Sequence, residues 1–317
     1  MSVLKIFLTI CILIIANSCT IRNDGICDRT PQIQSAILRV TTKKDCRNVT
    51  GKDLSKMVIL ELKGKKENNV VNLKPNDFSG LKSLKILNLN TKDYEGLIAT
   101  EALAEKYETW GLGSQIPCWN DNQIQSLPEN IFSDLASLEE LDLSCIQLKS
   151  LPEKIFTGLS KLNKLNLSRN YLQTLPDKIF TELKSLKMLD LGYNEMKSSP
   201  EKLFIGLGAL EKLDIWHNKL ENLPDNVFSD FKSLKTLNLN SNKLTTLPTK
   251  LFAKLGSLEM LSLGNNKFKR LPDNIFADLK LLKFLSIQAG LPEKLFMELK
   301  SHPGFKLYND NSGYNDE

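Results

Sequence analysis

Six cysteines and two histidines carry the most readily named chemistry in this 317-residue chain. Cys11 lies inside an apolar amino-terminal run and Cys19 just behind it, which leaves Cys27, Cys46, Cys118 and Cys145 for two disulfides in an oxidising compartment. Cys27 and Cys46 close a short loop, and a bridge across a loop of that size contributes roughly 3 kcal/mol in the chain-entropy picture. Cys118 and Cys145 form a weaker pair. They fall on neighbouring predicted strands at offset positions, whereas a disulfide needs Cα atoms within about 7 Å. Metal ligation has no support, because no Cys-x-x-Cys occurs and His217 and His302 are far apart in sequence. The chain also lacks Gly-x-Ser-x-Gly, His-Glu-x-x-His and P-loop patterns, and His217 has no nucleophile partner. No catalytic residue and no cofactor is expected.

The remaining reactive and aromatic residues sit on a repeat that must position them. From Leu127 to Phe276 a 24-residue unit recurs, marked by Leu-Pro-x-x-aliphatic-Phe at Leu127-Pro128…Phe132, Leu151-Pro152…Phe156 and Leu175-Pro176…Phe180, then by Phe204, Phe228, Phe252 and Phe276. Interleaved with it is Leu-x-x-Leu-x-Leu-x-x-Asn-x-Leu, clearest at Leu162, Leu165, Leu167, Asn170 and Leu172. The asparagine column reads Asn122, Asn170, Asn194, Asn218, Asn242 and Asn266, with Ile146 as the exception. This period and pattern identify leucine-rich repeats.

Each Leu-x-Leu pair alternates as a half-buried strand does. The strands of successive units should stack about 4.8 Å apart into one parallel sheet. The Pro-led second half should form a short helical turn, with proline in the first turn and acids such as Glu153 and Asp177 near its positive end. The expected fold is therefore an α/β leucine-rich repeat solenoid, a horseshoe with a concave parallel sheet and short helical turns on the convex side. Stacked phenylalanines should form a core spine. The asparagine amides should satisfy backbone groups where the chain leaves each strand. One unit cannot bury its apolar side alone, so the ends need caps.

On the concave sheet, Tyr193, Trp216, His217 and Met188 should form an amphipathic island among small polar residues. Tyrosine and tryptophan are enriched in interface hot spots, although exposed aromatics also simply cover sheet backbone. Asp190 and Asp214 should lie side by side on adjacent strands, where like charges repel. Neutralisation by Lys212, Lys164 or Arg169 is preferred to a cation site. The partner-binding set is thus Tyr193, Trp216, His217, Met188, Asp190, Asp214, Lys212 and Arg169, with a protein or glycan as partner.

Around this array the chain divides into 1–18, a secretory signal; 19–56, an amino-terminal cap; 57–300, the repeats, with an irregular insertion at about 95–117; and 301–317, a final strand and tail. Lys5 precedes the apolar run Ile6 to Ala16, which is too short to span a bilayer. Ala16-Asn17-Ser18 suits ordinary cleavage before Cys19. Ile-Ala-Asn-Ser-Cys also resembles a loose bacterial lipobox, with Ala16 where a leucine-like residue is usual. Plain secretion and lipidation of Cys19 are both compatible with it, and that lipid is the sole membrane link expected. Ile33, Ala36, Ile37 and Val40 have helical spacing, so a small helix should cover the first strand. Phe78 and Phe132 are 54 residues apart, read as two units of which one carries six extra residues and a helix at Thr100–Tyr107. Phe305-Lys306-Leu307 supplies a last strand.

Cys27-x-Arg29-Thr30-Pro31-Gln32, followed by Cys46-x-x-Val49-Thr50, resembles the amino-terminal cap of secreted bacterial leucine-rich repeat proteins, and the units resemble the typical 24-residue class. The resemblance implies a non-enzymatic binding module, secreted or in the cell envelope, engaging its partner on the concave sheet. The runner-up is a structural or adhesive envelope component, for which an evenly bland sheet is expected. The formal charge of +5 is spread among acids, with no basic run that would suit nucleic acid.

Overall fold

The computed structural model describes residues 26–62, 72–90, 123–288, 297 and 299–309. Ten parallel strands form one sheet in strict chain order. They are β1 (Ile59–Glu61), β2 (Ile86–Asn88), β3 (Glu140–Asp142), β4 (Lys164–Asn166), β5 (Met188–Asp190), β6 (Lys212–Asp214), β7 (Thr236–Asn238), β8 (Met260–Ser262), β9 (Phe284–Ile287) and β10 (Lys306–Asn309). The central leucine of each repeat strand points inward, and its flanking residues face outward. The register repeats without a slip: Leu165 pairs with Leu189, Leu189 with Leu213 and Leu213 with Leu237. A shift of one residue would turn every leucine to solvent, so the inward row fixes the pairing.

The returning segments are successive turns closed by i→i+3 hydrogen bonds rather than α-helices, as in Ile155 N–H to Pro152 O at 3.2 Å and Thr157 N–H to Lys154 O at 3.0 Å. Each turn carries one phenylalanine into the core. Phe156 and Phe180 stack with centroids 6.0 Å apart, Phe180 and Phe204 at 6.4 Å, and Phe252 and Phe276 at 6.3 Å. Phe231 replaces the usual leucine and wedges between Phe204 and Phe228, at 5.5 and 5.6 Å. The asparagine column ties neighbouring coils together. Asn194 donates through Nδ2 to Leu167 O of the preceding coil and to Leu191 O of its own, both at 3.0 Å, and its Oδ1 accepts Leu172 N–H.

One expectation is corrected. Phe78 stacks directly on Phe132 at 6.0 Å, and Leu87 pairs with Leu141. The 54-residue interval is thus one coil of the stack and not two. The neighbours of β3 are accordingly β2 and β4. The signal, Cys19, the 95–117 insertion with its Thr100–Tyr107 helix, Cys118 and Asn122 lie outside the described residues. Cys145 is disulfide-bonded.

At the amino-terminal end, α1 (Pro31–Thr41) packs against β1, burying Ile33, Ala36 and Ile37. Val40 is 47% exposed, contrary to its helical spacing, because the last turn of α1 faces a groove with Val58 and Ile59. A 3-10 turn (Cys46–Asn48) and α2 (Gly51–Leu54) follow, and Thr50 and Asp53 close a capping box on α2. Cys27 and Cys46 are bonded, with Cα atoms 5.3 Å apart. The Arg29-Thr30-Pro31 stretch has a physical role. Arg29 is buried and donates to Asp77 O at 2.9 Å. Thr30 N–H donates to the buried Asp77 carboxylate at 2.6 Å, and Pro31 opens the helix.

Candidate functional site

The concave face is built from four residues per coil: the two outward strand residues, the next alternate position, and the residue after that. Met188 and Lys212 begin their strands opposite each other, and Asp190 and Asp214 end them opposite each other. Gly192 and Trp216 follow, then Tyr193 and His217. The last position has an unusual backbone. Arg169, Tyr193 and His217 have φ of 57°, 52° and 51°, continued by Ser241 and Asn265 at 54° and 50°. The chain makes this left-handed step just before the column asparagine, which then collects the exposed backbone groups. Left-handed geometry is uncommon for residues with a Cβ and strained for bulky ones, so tyrosine here sits against its local preference.

These side chains form a ladder. The Arg169 guanidinium carbon lies 4.5 Å from the Tyr193 ring centroid, within cation–π range. The His217 ring is 4.0 Å from Tyr193, tilted by 32°. Trp216 meets Tyr193 edge-on at 4.5 Å and 80°. Gly192 makes room for that indole: a Cβ there would stand 2.5 Å from Trp216 Nε1 and 2.6 Å from Cδ1. The structure therefore brings together Arg169, Tyr193, Trp216 and His217. Met188 takes its place at the start of β5, opposite Lys212.

Of the three cations expected to neutralise the aspartates, Lys212 lies on one of them. Lys212 Nζ pairs with Asp214 at 3.2 Å, and the Asp214 side chain is only 13% exposed. Lys164 instead pairs with Glu140 at 2.9 Å, and Arg169 lies on Tyr193. Asp190 is half-buried and accepts the Gly192 N–H at 2.8 Å. Burial, and then the Asp214 carboxylate opposite, push its carboxyl up to about 7, against the opposing pull of Gly192, Lys212 and Ser168.

The left-handed column and the Gly192 seat escaped sequence reasoning, although both lie at fixed offsets in the 24-residue unit. So did a border row in which Lys85–Glu139, Lys187–Glu211, Lys235–Glu211 and Lys283–Glu259 pair between coils, at 2.8, 3.7, 2.6 and 2.5 Å. Among the described residues, the one cluster with metal-like spacing is Cys27, Asp45 and Cys46, and its two cysteines are bonded to each other. A groove of about 540 Å³ lies beside β1, lined by Arg39, Val40, Val58 and Ile59 among others, remote from the aromatic ladder.

Among solved structures, the chain resembles the TLR13–ssRNA13 complex (TM-score 0.58, 22% identity, covering 83% of this chain and 41% of that one). It also resembles the Drosophila Toll–Spatzle complex (TM-score 0.53, 23% identity, 80% and 34%). A leucine-rich repeat protein of Leptospira interrogans matches at TM-score 0.51 and 26% identity, covering 81% of this chain and 67% of that one. The chain thus spans about two fifths and one third of the first two. No curated protein matches. The Leucine rich repeat family model matches residues 120–172, 160–220, 208–266 and 239–289, more than half of the sequence, and the chain belongs to that family.

Proposed function

We propose that this chain is a non-enzymatic binding module, exported to the cell surface or envelope, that engages a protein or glycan partner through its concave sheet. The observation that carries the reading is the Arg169–Tyr193–Trp216–His217 ladder. A bulky aromatic held in left-handed backbone, with a neighbouring position kept as glycine to seat an indole, is more than an array needs in order to fold. The solved relatives supply general support, since one is a complex with RNA and another a complex of two proteins. The runner-up, a structural envelope component, calls for an even sheet, and this face is uneven. Export is supported by the Cys27–Cys46 bridge and the bonded Cys145, which suit an oxidising compartment.

Affinity capture from envelope extracts with the wild-type chain and with Tyr193→Ala/Trp216→Ala tests the binding surface. A partner retained by the first and lost by the second is expected, and equal retention by a folded double variant would falsify the concave site. Metabolic lipid labelling of the full chain decides between an acylated Cys19 and plain secretion.

A further inference from the structure

The concave face changes character at β7. Of the eight outward strand residues on β3 to β6, six carry formal charges: Glu140, Asp142, Lys164, Asp190, Lys212 and Asp214. On β7, β8 and β9 the corresponding residues carry none. What replaces the charge is hydrogen-bonding capacity: Asn238, Asn240, Ser241, Ser262, Asn265 and Ser286. These groups are organised. Asn238 Oδ1 accepts the Asn240 N–H at 3.1 Å. Asn240 Oδ1 accepts from Ser241 Oγ at 2.7 Å and from Asn265 Nδ2 at 3.3 Å. Gly264 keeps the floor low between them, since a Cβ there would lie 3.2 Å from both Asn240 Nδ2 and Ser286 Oγ.

Aromatic rings bound this neutral floor at both ends. Trp216 and His217 stand on the β6 side. Phe284 and Tyr308 stand on the other, with centroids 6.3 Å apart, and Tyr308 is 46% exposed. From β6 to β10 is four strand spacings, about 19 Å. The flanking border charges Glu259 and Lys283 pair with each other.

We propose that β6 to β10 form a binding site for an uncharged oligosaccharide, lying across the strands with sugar rings against Trp216 at one end and Phe284 and Tyr308 at the other. The inference rests on the proposed concave-face binding role and deepens it. A sugar presents C–H faces to aromatic rings and hydroxyls that both donate and accept. Amide and hydroxyl side chains offer both complements without a formal charge to desolvate. An anionic glycan or nucleic acid would instead call for a cationic lining, and β7 to β9 carry no cation on their strand positions; Lys212 on β6, paired with Asp214, and Lys306 on β10 stand only at the two ends. A protein partner is better matched by the charged half at β3 to β6, where opposite signs can set register.

The test applies the labelled full-length chain to an array of neutral and acidic oligosaccharides, with thermal melting to confirm that each variant is folded. The expected result is retention on neutral glycans, weakened at least tenfold by Phe284→Ala and by the isosteric Asn240→Asp. Retention confined to acidic glycans, retention on no glycan, or unchanged retention by both folded variants overturns the inference. If no glycan binds while protein capture is still lost on Tyr193→Ala/Trp216→Ala, this inference falls and the concave-face binding role stands.

Discussion

Asp190 concentrates the electrostatic tension of the face in one carboxyl. Its pKa lies near 7 in the folded chain, against an ordinary value of 3.8, because burial and the Asp214 charge both disfavour ionisation. Between about pH 4 and pH 7 the folded state therefore holds a proton that the unfolded chain has released. Stability falls as pH rises through that window and is flat above it. Asp190→Asn keeps the oxygen that accepts the Gly192 N–H and removes the charge. A tenfold change in acidity corresponds to ~1.4 kcal/mol, and solvent contact at a half-buried carboxyl holds the gain at pH 8 to about 1–2 kcal/mol. Paired thermal melts should show the variant more stable than wild type at pH 8 and equal to it near pH 4; equal melting at both would remove the assigned burden. Gly192→Ala probes the neighbouring contact. The new Cβ meets a side chain that can swing away, so the fold survives with a loss of about 1–3 kcal/mol. With Trp110 and Trp119 replaced by phenylalanine, Trp216 emission should shift to the red; an unmoved spectrum would mean that the indole does not depend on its seat. The aromatic residues themselves were readable in the sequence. Their stacking order was not, because it follows from a left-handed backbone step that residue types such as Arg169 and Tyr193 do not announce.

Two rows of side chains connect successive coils, and magnitudes separate their roles. The border row of lysines and glutamates is solvent-exposed, and such pairs contribute little to stability, less still in salt. The asparagine row is buried. Asn218 donates to Leu191 O at 3.0 Å and Ile215 O at 3.2 Å, and accepts the Met196 N–H at 3.1 Å. Truncating it leaves buried backbone groups of two coils without partners, each costing about 1–3 kcal/mol. In urea titrations Asn218→Ala should therefore lower stability by about 3 kcal/mol or more, while Lys235→Ala leaves the unfolding midpoint nearly unchanged; a reversed order would contradict the division of labour. The asparagine role was legible because its offset from the inward leucines is invariant across five coils. Ile146 shows why that legibility has limits. Its backbone N–H is still served by Asn170 Oδ1 at 3.2 Å and its side chain is fully buried, so one coil can trade the amide for packing. Counting periods also misplaced the Phe78–Phe132 interval. Arithmetic on 54 residues allows an added coil, and only strand pairing shows that none intervenes.

At the scale of the molecule, an array of this kind has stability that is nearly a sum of coil and interface contributions, so its ends are where opening starts. The amino-terminal end is held by two independent devices. One is the Cys27–Cys46 bridge. The other is the buried Asp77 carboxylate, which accepts from Thr30 N–H at 2.6 Å, Thr30 Oγ at 2.5 Å and Lys74 N–H at 2.7 Å, while Asp77 O and Ser79 O receive the Arg29 guanidinium. Asp77 therefore joins the segment before α1 to the first coil. Asp77→Ala removes three acceptor contacts from buried or part-buried donors, each costing about 1–3 kcal/mol, a loss of about 3 kcal/mol or more at that end. Because contacts run only between neighbours, the loss should stay local. Hydrogen exchange should rise in α1 and β1 of the variant while β5 to β7 keep wild-type protection, and reduction of Cys27–Cys46 should enlarge the same region rather than a different one. Uniform loss of protection from β1 through β9 would mean that the array melts as one unit, and that the amino-terminal lock governs the whole sheet instead of guarding one end.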